Sequence, residues 1–105
     1  MSIDRNVINY IEAREKEAEE MNEFCMSKRL CNQDAQKYVD EYCSLLAQIF
    51  VQRYEENLTN SKFMLDLLRY LNAVGARDKK SGHRFGNALY DKLTKIEQNK
   101  DESTL

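Results

Sequence analysis

Five side chains able to hold an anion, Arg77, Lys79, Lys80, His83 and Arg84, fall within eight consecutive residues, interleaved with Ser81 and Gly82. Guanidinium, ammonium and free backbone N–H groups can converge on one phosphate or carboxylate, and a basic loop ahead of a helix is a natural place for this. Lys92 and Lys95 carry the same charge into the residues that follow. These seven residues are the expected contact set for a phosphate group or a macromolecular partner. A cluster of this size is equally ordinary on a solvated surface, so spacing alone does not separate recognition from solubility.

Covalent chemistry has less to draw on. His83 is the sole histidine, which excludes a metal centre built from several imidazoles and any histidine pair. A metal would have to be held by Cys25, Cys31, Cys43 and His83, whose spacings match no zinc pattern. Cys43 also falls in an apolar helical face, where a thiol acts as a small buried hydrophobe. Neither a phosphate loop, a dinucleotide fingerprint nor a nucleophile elbow occurs. The expectation is a non-enzymatic protein that uses no metal and no cofactor.

The elements that must position these residues are helical. Proline is absent, and the three glycines, Gly75, Gly82 and Gly86, share one twelve-residue window, so little else interrupts a helix. A first helix is predicted from a Ser2 N-cap to about Lys28, with Val7, Ile11, Ala18, Met21 and Cys25 inward and Arg14 filling the gap in the stripe. Glu12, Glu15, Glu19 and Glu23 occupy its other faces and form an alternative contact surface, able to imitate nucleic-acid phosphates against a basic groove. Such an acidic, thinly apolar helix belongs on the outside, or along a second copy as the seam of a homodimer.

A second helix is predicted from an Asn32 N-cap to about Glu56. Its broad apolar face of Ala35, Tyr38, Val39, Tyr42, Cys43, Leu45, Leu46, Ile49, Phe50 and Tyr54 makes it the expected centre of the bundle. A third starts near Asn60 or Ser61, carries Phe63, Met64, Leu67, Leu68, Leu71 and Val74, and stops at Gly75. After a basic loop from Ala76 to Phe85, a fourth runs from about Asn87 to Gln98 with Leu89, Tyr90, Leu93 and Ile96 inward. Gly86 would cap it, with Phe85 packing on Tyr90. The fold expected is all-α, a four-helix bundle-like single domain over residues 1–98, with a frayed acidic tail at 99–105.

At 105 residues the chain can hold one core, and 42% hydrophobic content separates it from a disordered tail. The near-neutral net charge of -2 conceals a dipole. Residues 1–62 carry 8 basic and 12 acidic side chains, a net of -4; residues 63–100 carry 8 and 4, a net of +4; the last five add -2. No apolar run reaches the length of a membrane span, and the start Met1-Ser2-Ile3-Asp4-Arg5 lacks a signal-peptide profile. Together with an odd number of cysteines, this points to a cytoplasmic, reducing location.

Two resemblances bear on function. The segment Leu71-Asn72-Ala73-Val74-Gly75, a polar loop with Gly82, then Phe85 and a helix carrying Leu89 and Leu93, resembles the helix-turn-helix segment of serine recombinases. It is also similar to the C-terminal half of small phage anti-sigma factors. The likeness covers about a third of the chain and implies a compact regulator acting on nucleic acid or on a protein that handles it. Separately, Arg77-Asp78 followed by His83 resembles the signature of the helical HEPN ribonucleases, which implies Arg77 and His83 as RNA-cleaving residues. The spacer Lys79-Lys80-Ser81-Gly82 departs from that family's helical, partly apolar one.

The favoured expectation is a small regulatory protein that binds and modulates a larger macromolecule, a nucleic-acid-handling protein or complex. Direct DNA or RNA binding through residues 63–97 is the alternative, and the ribonuclease a second alternative.

Overall fold

The computed structural model describes residues 3–28, 32–76 and 82–103. Among them are five helices and no strand: α1 (Arg5–Ser27), α2 (Asn32–Arg53), α3 (Glu55–Leu58), α4 (Ser61–Ala73) and α5 (Arg84–Ser103). They pack into an all-α bundle in which α5 lies chiefly against α2, α1 lies against both, and α4 rests on α5. The short α3 connects α2 to α4.

Local chemistry explains three of the helix ends. Asp4 caps α1, its carboxylate accepting from the Asn6 N–H at 2.8 Å. The cap is thus Asp4 rather than the expected Ser2, and α1 starts at Arg5. Asn60 caps α4 in the same way, accepting from Lys62 N–H at 3.0 Å. At the far end of α4 the chain turns through Gly75 at φ 79°. There Ala76 N–H donates to Leu71 C=O at 2.8 Å and Gly75 N–H to Asn72 C=O at 3.1 Å. This is a Schellman closure, and the buried Ala76 completes it from the apolar side.

Three further boundaries differ from the sequence expectation. α2 stops at Arg53, and Tyr54, at φ -110° and ψ 27°, separates it from α3. The hydrogen bonds nevertheless continue across the break, from Tyr54 N–H to Phe50 C=O and from Leu58 N–H to Tyr54 C=O. α5 begins at Arg84 rather than Asn87 and extends to Ser103 rather than Gln98. Gly86 is therefore inside the helix instead of capping it. Phe85, in the first turn, packs on Tyr10 and Phe50 rather than on Tyr90, with ring centroids 6.1 and 6.4 Å apart.

The core gathers around Phe50 and Phe85, both fully buried, with Leu67, Leu71, Leu89 and Leu93. Tyr10 stacks on Phe50 at 5.3 Å and Tyr54 lies tilted against it at 4.8 Å, so aromatic contacts link α1, α2 and α5. Arg14 does occupy the gap in the α1 stripe: its guanidinium lies 5.0 Å above the Tyr10 ring and its Nε sits 3.1 Å from the Glu17 carboxylate. The apolar face of α2 is narrower than expected. Ala35, Val39, Cys43, Ala47 and Phe50 are buried, whereas Tyr38, Leu45 and Ile49 face outward. α2 thus shares the centre with α5, which touches α1, α2 and α4.

Candidate interaction site

Of the seven basic residues singled out by spacing, Arg77, Lys79 and Lys80 lie outside the described residues. The other four are distributed along α5 and just ahead of it, and they do not form one uniform patch. His83 is half-buried beside Glu15 of α1, whose carboxylate it favours electrostatically. Arg84 points the other way, towards α2, where its guanidinium lies 3.1 Å from Asp40. Lys92 and Lys95 follow two and three turns further along α5.

Arg84, Lys92 and Lys95 meet in a groove of about 540 Å³ between α2 and α5. One wall comes from α2, where Gln36, Asp40 and Ser44 recur every fourth residue and so lie above one another. The opposite wall comes from α5 and adds Asn87 and Asp91 to the two lysines. The lining is therefore rich in amide and hydroxyl groups and carries both signs of charge. Sequence spacing finds the cations but not Asp40, Gln36 or Ser44, because these belong to a different helix, Asp40 being 44 residues away from Arg84.

A second, smaller depression of about 300 Å³ separates α1 from the end of α4 and the start of α5. Glu12, Glu15 and Glu19 line it together with His83 and Tyr70. The acidic face anticipated on α1 is thus only partly a solvent surface. Glu12, Glu19 and Glu23 are exposed, but Glu15 is half-buried and turned inward, where it accepts the Gly86 N–H at 2.5 Å. It satisfies a donor in the first turn of α5, the part of a helix whose N–H groups have no partner within the helix. Burial pushes the Glu15 carboxyl above the usual carboxylate range, while the Gly86 and Phe85 N–H groups and His83 pull in the opposite direction.

Cys25 and Cys43 are both buried free thiols, and Cys31 lies outside the described residues. Burial first, then the Glu15 and Asp40 carboxylates, push the Cys43 thiol up to about 12, far from the range of a nucleophilic thiolate. Among the described residues, no three His, Cys, Asp or Glu side chains are grouped closely enough to hold a metal ion. Nor, among them, is any helix long and apolar enough to cross a membrane.

Comparison with protein-family models, curated proteins and solved structures finds no match to this chain.

Proposed function

We propose that the chain is a small regulatory protein that binds a larger protein through the α2–α5 groove and alters that partner's activity. The observation that carries this reading is the mixed lining of the groove, with Arg84, Lys92 and Lys95 set among Asp40, Asp91 and the amides of Gln36 and Asn87. A phosphate backbone would gain from the cations and be repelled by the two carboxylates, so its affinity would be poor. A protein surface carrying both signs and hydrogen-bonding groups meets no such conflict. The resemblance of residues 71–93 to anti-sigma and recombinase segments suggests a partner that itself handles nucleic acid.

The test is affinity capture from the native cell, with wild type compared against the double variant Lys92→Glu/Lys95→Glu, alongside electrophoretic mobility assays with DNA and RNA. The expected result is a protein retained by wild type, lost with the double variant, and free nucleic acid left unshifted at moderate salt. A shift of free DNA or RNA that weakens steeply with salt would replace this reading with direct nucleic-acid binding.

A further inference from the structure

One face of α2 is apolar yet exposed. Tyr38, Leu45 and Ile49 are 54, 55 and 45% exposed. With the half-buried Tyr42 they recur at intervals of four, three and four residues, the spacing of a helix–helix seam. The strip borders α1, where Tyr42 donates its hydroxyl to Glu17, a carboxylate also paired with Arg14. The sequence pattern alone points to the first helix as a self-association seam. Its apolar positions Val7, Ile11, Ala18 and Cys25 are buried within the protomer, leaving Phe24 and Met26 of its last turn as its large exposed apolar side chains.

We infer that a second copy of this chain docks on the α2 strip, with the two α2 helices antiparallel about a two-fold axis near Cys43 and Ser44. The strip is complementary to its own reversed copy. Tyr38 of one copy then meets Ile49 of the other, and Tyr42 meets Leu45, so each aromatic ring packs on a branched aliphatic side chain. Charge selects the same orientation. α2 carries Asp34, Lys37, Asp40 and Glu41 in its first half and Arg53 at its end, all exposed, and of these Asp34, Glu41 and Arg53 lie nearest the strip by helical position. Antiparallel pairing brings Asp34 towards Arg53 and Glu41 towards the Gln48 amide. Parallel pairing would set each of these charges against its own copy. Opposed helix dipoles add to the preference. A strip of this length makes a contact at the small end of the size range, so the dimer is reversible.

Sedimentation equilibrium of the intact chain tests this. A monomer–dimer equilibrium is expected, abolished by Leu45→Glu/Ile49→Glu without loss of helical circular dichroism, since both side chains are exposed. Asp34→Arg and Arg53→Asp should each weaken association several-fold, and combining them should recover most of it. Lys92→Glu/Lys95→Glu should leave the dimer intact, because the groove is on a different side of α2, and this keeps the outcome separate from that of the groove proposal. A monomer persisting to millimolar concentration overturns the inference. So does a dimer indifferent to Leu45→Glu/Ile49→Glu, or a combined charge exchange that associates no better than its parts.

Discussion

Glu15 carries an unusual share of the local architecture for one side chain on an acidic helix. It lies 71 residues from Gly86 in sequence and accepts that residue's N–H. Its folded-state pKa is raised above 4.5, so the native protein holds this proton more tightly than the unfolded chain does. The stability this contributes is fully present below the unfolded value and declines as pH rises from about 4.5 through the raised folded value. Glu15→Gln keeps an acceptor for Gly86 and removes the titration. Urea unfolding should therefore show the variant gaining on wild type as pH rises through that window. Glu15→Ala removes the acceptor as well and should cost about 1–2 kcal/mol at neutral pH.

Gly86 itself is expected to resist substitution. A Cβ there would lie 2.9 Å from Ala76 Cβ and 3.0 Å from Glu15 Oε1. Gly86→Ala in a helix ordinarily gains about 1 kcal/mol, but overpacking against a backbone-fixed Cβ costs about 1–3 kcal/mol. The clash outweighs the propensity, and thermal unfolding should show a lowered Tm.

At the scale of the elements, what could be read from the sequence was whatever local chemistry decides. α4 is framed by Asn60 and Gly75, both recognisable as caps, and its apolar spacing matches the buried Met64, Leu67 and Leu71. Gly75→Ala should accordingly cost about 1–2 kcal/mol, measured by chemical denaturation, because a side chain is forced into the left-handed region.

α5 starts earlier than its sequence suggests because Gly86 resembles a cap, whereas its small size serves a close approach between distant segments. The break at Tyr54 bears neither glycine nor proline to mark it. The outward turn of Tyr38, Leu45 and Ile49 was equally hidden: periodicity shows that a face is apolar but not how many neighbours surround it. The groove was half legible, since its cations stand out in the sequence and the carboxylates that temper them do not.

The pair between Arg84 and Asp40 ties α5 to α2, yet the carboxylate is largely exposed, and such pairs contribute about 0–1 kcal/mol. Asp40→Asn should change the unfolding free energy by no more than this. In the capture experiment it should alter partner retention instead, because it leaves the groove more positive.

For the whole molecule, the aromatic cluster is the common anchor. Phe50 is fully buried and contacts Tyr10 of α1, Tyr54 and Phe85 of α5. Phe50→Ala should cost about 3–5 kcal/mol, a large part of the stability of a domain this size. Hydrogen exchange should then show protection falling in α1, α2 and α5 together rather than in α2 alone.

The Glu15–Gly86 clasp has a mechanical corollary. Gly86, the residue it holds, stands directly before Asn87 in the wall of the cleft that continues to Lys92 and Lys95. One carboxylate of the amino-terminal rod therefore anchors the same rod that forms one side of that cleft.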